Sequence, residues 1–321
     1  MRVLVTGATG FVGGHLIEHL VSAGDQVVGV CRSGEWPATL DHLAAVARLE
    51  PCDLAHIDEP SLVAWLDRKQ PQAIYHLAAQ SNPQRSLANP RETWAQNLGG
   101  TLNLLESVAK TGLKPRIVLV GSGVSYGNPA PEHLPVDETC PLLPNNPYAA
   151  SKAAADLLGI QHHLTHGAEI MIARPFNHSG PRQSDPYVLA SLARQVAEVE
   201  AGRSPAVEHG NLAIVRDFTD VRDLVKAYRL LILKGHPGLV YNLGTGRDLS
   251  LQQMLEILIS LARTSIPTHA NPARMRAVDL PRLLANASRL TQHTGWTPQL
   301  SIETTLADML QYWRDQPPVS A

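Results

Sequence analysis

The feature that most constrains the fold is a glycine-rich turn near the amino terminus, in the stretch VLVTGATGFVGGHLIEHL. A short β-branched run there predicts a strand, helical apolar spacing follows it, and Gly7, Gly10 and Gly13 fall between the two. Glycine permits a tight turn and lets backbone N–H groups approach a pyrophosphate at the positive helix N-terminus. The turn therefore predicts a dinucleotide site, with a purely structural turn as the alternative.

Short β-branched runs alternate with helical patterns through the first half of the chain. The runs are RVLVT, QVVGVC, AIYHLA, RIVLVG and EIMIAR. They do not alternate in polarity, which indicates a parallel sheet covered on both faces. We predict an α/β fold, with a doubly wound parallel Rossmann sheet over residues 1–175 and a smaller mixed α/β domain over 176–321. The runs AIVRDF and VYNLGTG could return the chain to the main sheet around residues 213–247.

Composition narrows the range of partners. The chain has a net charge of −2 and no basic run, which argues against nucleic acid and anionic membranes and favours small molecules. It lacks a signal-peptide pattern and an apolar run long enough to span a bilayer. Cys31, Cys52 and Cys140 lack metal-ligand spacing and cannot all pair, which indicates a reducing cytoplasm. His162 and His166 lack a third ligand, so we expect a solvated helix face and no metal.

The end of the second predicted strand, VVGVCRSG, bears on which dinucleotide is bound. An acidic residue at this position would hold the ribose 2′-hydroxyl of NAD, but this chain has Cys31 followed by Arg32. A guanidinium suits the 2′-phosphate of NADP. We therefore predict a preference for NADP(H), while a solvated Arg32 would leave NAD(H) possible.

The stretch NNPYAASKAAAD predicts a helix that carries Tyr148 and Lys152 on one face, among small residues that leave room for a cofactor and a substrate. A nearby ammonium lowers the pKa of a phenol, so we expect Lys152 to activate Tyr148. Ser122 follows the strand RIVLVG and would emerge at the carboxyl edge of the sheet. The three side chains are predicted to orient a carbonyl, donate a proton and activate the donor.

Taken together, these segments resemble the short-chain dehydrogenase/reductase superfamily, in its extended branch that modifies sugar nucleotides. The resemblance covers nearly the whole chain and includes TGATGFVGGH, CDL, YHLAA, NLGGT and YAASK. It implies that Asp53 contacts the adenine and that Asn97 supports the helix bearing Tyr148, whereas His76 is expected to pack inside a strand. It implies a cofactor site made of Gly7, Gly10, Phe11, Val12, Gly13, Arg32, Asp53, Leu54, Leu77, Ala78, Ala79, Tyr148 and Lys152.

The same resemblance implies a homodimer, formed through the helix TWAQNLGGTLNLLESVAKTG and the helix that carries Tyr148. Members of this superfamily reduce, dehydrate or epimerise their substrates. An epimerase retains its cofactor and usually prefers NAD, whereas Arg32 suggests an exchangeable NADP(H). A protein that only senses the redox ratio is the alternative outside catalysis, and the intact set of Ser122, Tyr148 and Lys152 argues against it.

Dehydration is disfavoured by a position close to the predicted catalytic serine. Sugar-nucleotide 4,6-dehydratases of this family generally carry an acidic residue two places after the catalytic Ser or Thr, and this chain has Val124 there. An aliphatic side chain cannot exchange a proton. Ser125, Asp137 and Glu138 are near in sequence and could substitute, so dehydration stays open.

The second half of the chain resembles the reductases that act on GDP-6-deoxy-4-keto-D-mannose, through RPFNHSGPRQ, GNLAIVRDFTDVRDLVKAY, GLVYNLGTG and RMRAVDLPRLLANASRL. The related GDP-mannose 4,6-dehydratases usually have Trp where this chain has Phe218. The resemblance implies NADPH-dependent reduction of the C4 keto group of this sugar nucleotide to give GDP-D-rhamnose, which would be used in polysaccharide synthesis. It also implies a substrate site made of Ser122, Asn177, Arg182, Arg216, Arg276 and Asp279. The acids of DFTDVRD are interpreted as helix-capping residues, with Thr219 or Asp220 at the N-cap.

Overall fold

Seven parallel strands form the main sheet of the computed structural model, which describes residues 1–275 and 282–317. The strands within those residues are β1 (Arg2–Thr6), β2 (Gln26–Cys31), β3 (Arg48–Pro51), β4 (Ala73–His76), β5 (Arg116–Val120), β6 (Ile170–Pro175), β7 (Asn177–Ser179), β8 (Val207–His209), β9 (Val215–Arg216), β10 (Phe218–Asp220), β11 (Val240–Leu243), β12 (Leu249–Ser250), β13 (Thr268–Ala270) and β14 (Arg282–Leu283). The main sheet has the order β11-β6-β5-β4-β1-β2-β3. Its order reverses between β1 and β4, which opens a crevice beyond the carboxyl ends of these strands.

Helices cover both faces of this sheet. Those in the described ranges are α1 (Phe11–Ser22), α2 (Glu59–Lys69), α3 (Pro83–Ala88), α4 (Pro90–Trp94), α5 (Gly100–Thr111), α6 (Pro147–His166), α7 (Val188–Glu200), α8 (Val221–Lys234), α9 (Leu251–Ser260), α10 (Ser288–Thr294) and α11 (Ile302–Asp315). Because successive strand residues face opposite sides, Val3 and Val5 pack with α1 and α8, while Leu4 packs with α2 and α5. The predicted doubly wound fold is confirmed.

The two segments that could have returned to the main sheet behave differently. VYNLGTG contains β11, which pairs in parallel with β6 at the edge of the main sheet. AIVRDF contains β9, which pairs instead with β12 and β14 in a small separate sheet. This short strand ends at Arg216, and the carboxylate of the next residue, Asp217, accepts hydrogen bonds from Thr245 and Gly246. The return within residues 213–247 is therefore made by α8 and β11.

A second apolar core lies in the C-terminal half of the chain. Helices α7, α9 and α11 pack against one another through buried apolar residues that include Leu192, Leu255 and Leu306. Two further small sheets pair β7 with β10 and β8 with β13. The predicted domain boundary at residue 175 stays a prediction. The chain leaves the main sheet after β6, rejoins it at β11 and leaves it again, so the two domains are not continuous in sequence. Every helix in residues 1–275 and 282–317 is too short or too polar to cross a membrane.

The segment DFTDVRD starts α8, as its interpretation as a helix cap requires. Asp220 is the N-cap residue and accepts a hydrogen bond from the Arg222 backbone N–H at 2.8 Å. Asp223, in the first turn, accepts backbone N–H groups of Gln299 and Leu300 at 2.6 and 2.7 Å. Both acids therefore have structural partners, and Asp220 rather than Thr219 is the cap.

Candidate active site

The glycine turn forms a cradle that any side chain would fill. Gly7 has a positive φ of 70°, and a Cβ on it would lie 2.9 Å from the Ala78 backbone nitrogen. A Cβ on Gly13 would lie 2.2 Å from the Gly7 carbonyl oxygen. Helix α1 starts after Gly10, and within the described residues no side chain caps its first N–H groups. Those groups remain available to an anion, so the turn fits a dinucleotide pyrophosphate.

A pocket of about 450 Å³ lies beyond the carboxyl end of β2 and is lined by Thr9, Cys31, Arg32 and Ser33. Arg32 is exposed, and none of these four described residues is acidic. The lining therefore offers one cation and hydroxyl groups, which suits a phosphate on the adenosine ribose better than a free hydroxyl.

The other predicted cofactor residues follow the carboxyl ends of neighbouring strands. Asp53 and Leu54 follow β3, and the Asp53 carboxylate accepts the Ala55 backbone N–H at 3.1 Å. Leu77, Ala78 and Ala79 follow β4. Phe11 and Val12 begin α1. All of them lie near the carboxyl edge of the main sheet, and their contacts with a cofactor stay a prediction.

The three predicted catalytic side chains meet beyond the end of β5. Ser122 follows that strand, and its hydroxyl is hydrogen-bonded to the Tyr148 phenol. Tyr148 lies in the first turn of α6, which Asn146 caps by accepting the Ala149 backbone N–H at 2.9 Å. Lys152, one turn further along, is buried and donates to the Val120 carbonyl oxygen at 2.5 Å. A short segment of strand and one helix turn thus hold all three.

Burial governs the acidity of these groups. It raises the pKa of the Tyr148 phenol to about 12, against the opposing effect of the Ser122 hydrogen bond. It also lowers the pKa of Lys152 to about 8. The predicted net lowering of the Tyr148 pKa is wrong for the protein alone, because burial dominates and the Lys152 ammonium donates to the Val120 carbonyl oxygen. Tyr148 therefore carries its proton at neutral pH.

Asn97 supports the helix that carries Tyr148, as the resemblance implied. It lies in a π-helical turn, Ala95–Gly99, and its amide donates to the Ser151 hydroxyl of α6 at 2.9 Å. Its carbonyl oxygen accepts the Gln80 backbone N–H at 2.7 Å. A single buried amide therefore connects the segment after β4 to α6.

His76 does more than pack inside its strand. It is buried and lies between two hydroxyl groups, with Nδ1 2.8 Å from Thr6 Oγ1 and Nε2 2.9 Å from Thr101 Oγ1. Burial, with a smaller effect of the Lys152 charge, lowers the pKa of His76 to about 3. A neutral imidazole therefore links β1 and β4 to α5.

Three of the predicted substrate residues, Asn177, Arg182 and Arg216, lie in the C-terminal half of the chain. Asn177 is on β7, and Arg216 is on β9, where it donates to the Val215 carbonyl oxygen at 2.8 Å. Arg182 forms a bidentate ion pair with Glu18 of α1, with N–O distances of 2.5 and 2.6 Å. This ion pair links the loop after β7 to α1. Substrate contact by these residues stays a prediction, and Arg276 and Asp279 lie outside the described residues.

Sequence reasoning missed a contact across the crevice. Tyr187, just before α7, has its hydroxyl 3.1 Å from the Ser81 hydroxyl in the segment after β4. Tyr187 also lies near enough to Tyr148 to affect its acidity. No pattern in the sequence distinguishes this tyrosine, because only the fold brings the two segments together.

The histidine pair of α6 is not a solvated face. His162 is buried between α5 and α6, with Nε2 3.4 Å from a Glu106 carboxylate oxygen, whereas His166 is exposed. The expectation for His162 is wrong because α5 covers that side of α6. Within the described ranges, no group of three His, Cys, Asp or Glu residues could hold a metal ion.

Known proteins share the whole of this architecture. Residues 4–309 match the family model described as GDP-mannose 4,6 dehydratase. The chain is 35% identical over 316 residues to a GDP-6-deoxy-D-mannose reductase of Pseudomonas aeruginosa, covering 98% of both chains. The solved structure of RMD from Pseudomonas aeruginosa complexed with NADPH is similar at a TM-score of 0.85 and 33% identity, covering 98% of this chain and 99% of that one.

A UDP-glucose 4-epimerase of Thermus thermophilus, solved in complex with NAD, is similar at a TM-score of 0.86 and 27% identity, covering 98% of this chain and 99% of that one. The same fold thus serves relatives with different reactions and different dinucleotides. Because the family model spans nearly all of the sequence, the chain belongs to the GDP-mannose 4,6 dehydratase family, among the NAD(P)-dependent short-chain dehydrogenases/reductases.

Proposed function

We propose that this chain is an NADPH-dependent reductase that converts the C4 keto group of GDP-4-dehydro-6-deoxy-D-mannose to the hydroxyl group of GDP-D-rhamnose. One observation carries the proposal: a protonated Tyr148, hydrogen-bonded to Ser122, lies beyond β5 in a chain similar over 98% of its length to a GDP-6-deoxy-D-mannose reductase. The similarity to this reductase indicates the substrate class, and the side chains of Tyr148 and Ser122 indicate the type of reaction.

The residues divide the work of a carbonyl reduction. NADPH, when bound, supplies the hydride. The Ser122 hydroxyl orients the ketone oxygen, and Tyr148 donates its proton to that oxygen as negative charge develops there. The raised pKa keeps the phenol protonated near neutral pH, which suits a proton donor. Lys152 places a positive charge one helix turn from the phenol, where it stabilises the phenolate that remains.

The surroundings of Ser122 favour reduction over dehydration. Val124 occupies the position where an acid would be needed. The nearby polar side chains already have partners: Ser125 donates to a backbone carbonyl of α6 at 3.2 Å, and Asp137 accepts a hydroxyl of its own turn at 2.6 Å. Glu138 accepts a backbone N–H of β11 at 2.8 Å and is nearly inaccessible. None of these three described side chains is placed to replace the missing acid.

The preference for NADPH rests on the pocket at Arg32. Its lining carries a guanidinium and no carboxylate among the four described residues. The similar reductase structure was solved with NADPH, and the similar epimerase structure with NAD. We therefore propose NADP(H) as the working cofactor and NAD(H) as a weaker substitute.

We also propose a homodimer that pairs α5 and α6 of two copies. Leu157 and Leu164 lie seven residues apart on α6 and are 62% and 77% exposed, and Leu102 on α5 is 43% exposed. Apolar residues repeated at this spacing form a stripe along one helix face, which an equivalent stripe of a second copy can cover. A cytoplasmic location stays a prediction from the sequence.

The reaction can be tested with purified protein, NADPH and a keto sugar made in place from GDP-mannose by a separate dehydratase. We expect NADPH oxidation only when the dehydratase is present, with GDP-D-rhamnose identified by NMR. Tyr148→Phe should lower kcat by about 10²- to 10⁴-fold, because the proton donor is removed. Turnover of GDP-mannose without the added dehydratase would instead identify a lyase, and no turnover in any mixture would reject the proposal.

A further inference from the structure

A buried ion pair lies directly behind the predicted catalytic lysine. Asp156 follows Lys152 by one turn of α6, so the two side chains share a helix face. Asp156 is 0% exposed, and its Oδ2 accepts a hydrogen bond from Arg174 Nε of β6 at 2.8 Å. Such a pair is costly to bury, which suggests a role beyond stability.

The second carboxylate oxygen of Asp156 is directed at the catalytic strand end. Oδ1 is buried and has no hydrogen-bond partner among residues 1–275 and 282–317. It lies against Gly121, where a Cβ would come within 2.4 Å of it. Gly121 separates Val120, whose carbonyl oxygen accepts the Lys152 ammonium, from Ser122. Asp156 and Lys152 therefore converge on the same short segment.

Among the described residues, three charged groups interact directly in the set formed by Lys152, Asp156 and Arg174. Burial lowers the pKa of His76 on β4 to about 3, so its ring is neutral. Burial raises the pKa of Tyr126, after β5, and of Tyr148, so both phenols are protonated. Burial raises the pKa of the Asp156 carboxyl, whereas the charge and hydrogen bond of Arg174, with a smaller effect of Lys152, favour its ionised form. The charged groups are then the ammonium of Lys152, the carboxylate of Asp156 and the guanidinium of Arg174.

Arg174 is itself held firmly on the far side of the carboxylate. It donates from Nη1 to the Tyr126 hydroxyl at 2.9 Å, and its guanidinium lies 5.0 Å from the centre of that ring. The Tyr126 hydroxyl in turn donates to Asn242 of β11 at 2.7 Å. Asp156 thus lies between a fixed guanidinium and the catalytic ammonium, and its charge acts on both.

We propose that Asp156 is a positioning residue that keeps the buried Lys152 ammonium charged in the working pH range, and that Arg174 limits the strength of this effect. The inference rests on the proposed catalytic role of Lys152. Burial alone disfavours an ammonium, and a carboxylate one helix turn away favours it. Asp156 accordingly opposes the effect of burial on the pKa of Lys152, which stands at about 8.

Two single substitutions separate this role from a structural one. Asp156→Asn and Arg174→Gln both break the same ion pair, so a structural role predicts similar effects. If charge is what matters, Asp156→Asn leaves two cations together and destabilises the ammonium, whereas Arg174→Gln leaves an anion beside Lys152 and stabilises it. Asp25→Asn is the matched control, because it also removes a buried carboxylate that has cationic partners, namely Arg229 at 3.2 Å and the Met1 amino group at 2.8 Å. Asp25 is not among the groups that act on Lys152.

Lys152 protonation can be measured in the free protein by labelling with trace acetic anhydride between about pH 6 and 10, a range that brackets the pKa of this lysine, with quantification by mass spectrometry. Only the neutral amine reacts, so the midpoint of labelling reports the pKa of Lys152. We expect Asp156→Asn to lower this midpoint by about one pH unit, Arg174→Gln to raise it, and Asp25→Asn to leave it unchanged. The basic limb of the kcat profile should move in the same directions.

Shifts of both ion-pair variants in one direction, or no shift in either, would overturn the proposal. If Asp156→Asn fails to fold, Arg174→Gln decides alone, and an unchanged or lower midpoint contradicts it. The labelling needs no substrate, so absent reductase activity in the wild type would reject the proposed function and leave this test standing.

Discussion

Among the described residues that line the pocket beyond β2, Arg32 is the one cation, so its charge should matter for one cofactor and not the other. A guanidinium bound to a 2′-phosphate makes charge-assisted hydrogen bonds that NADH cannot make. Arg32→Ala is expected to raise the KM for NADPH about ten- to hundredfold and to leave the KM for NADH nearly unchanged. Initial-rate measurements with each cofactor check this.

Arg48→Ala provides the comparison for this experiment, because Arg48 is an exposed arginine of β3 outside the pocket lining. It should leave both Michaelis constants at their wild-type values. An equal rise for NADPH and NADH in Arg32→Ala would assign Arg32 a role in adenosine binding that does not involve the phosphate.

At the scale of single residues, the sequence predicts which candidate side chains lie together better than it predicts their pKa values. The motif spacing identified Ser122, Tyr148 and Lys152, and the structure brings them together. The direction of the Tyr148 pKa shift was missed because burial and the Val120 carbonyl come from tertiary packing. Asp156 was missed for the same reason: four residues after a lysine, an aspartate usually indicates an exposed helix face.

Helix α6 positions Tyr148, the proposed proton donor, through its first turn. Asn146 caps this helix, and Tyr148 stands two residues later. Asn146→Ala should lower stability by about 1 kcal/mol and fray the turn that holds the phenol. We expect kcat to fall several-fold while the KM for the sugar changes less, as measured by steady-state kinetics together with thermal unfolding.

Ser301 offers a control of the same kind, because it caps α11, where its hydroxyl accepts the Thr304 backbone N–H at 3.2 Å. Ser301→Ala should lower the melting temperature by a similar amount and leave kcat unchanged. Equal losses of kcat in the two variants would show that general destabilisation, and not the position of Tyr148, is responsible.

Among the elements, the regular ones were predictable and the short ones were not. The strands β1 and β5 coincide with apolar runs read directly from the sequence. Strand β3, Arg48–Pro51, was missed because an edge strand with charged residues shows no apolar run. The sequence left open whether β9 joins the main sheet, and its pairing with β12 and β14 depends on contacts far apart in the chain.

At the scale of the whole molecule, the exposed stripe on α6 predicts self-association. Leu157→Glu combined with Leu164→Glu would place two carboxylates in the proposed interface. We expect this variant to elute as a monomer, and the wild type as a dimer, in gel filtration with light scattering. The reason is that the free energy needed to desolvate the two introduced carboxylates in an apolar interface would prevent two copies from associating.

Leu233→Glu is the matched control, since Leu233 on α8 is 47% exposed and lies away from α5 and α6. This variant should remain dimeric. A wild-type monomer would reject the proposed interface, and a dimer that survives both substitutions on α6 would place the contact elsewhere on the surface.

The interleaved path of the chain restricts how the protein can be divided. The strand that completes the main sheet beside β6 is β11, which comes after β7, β8, β9 and β10 have been placed elsewhere. A fragment that ended at residue 175 would leave β6 as a bare edge and would lose the α8 cover of one face. Bare edges recruit other chains. Residues 1–175 are therefore not a module that can be transplanted alone, and recombination between relatives must also exchange the segment that contains α8 and β11.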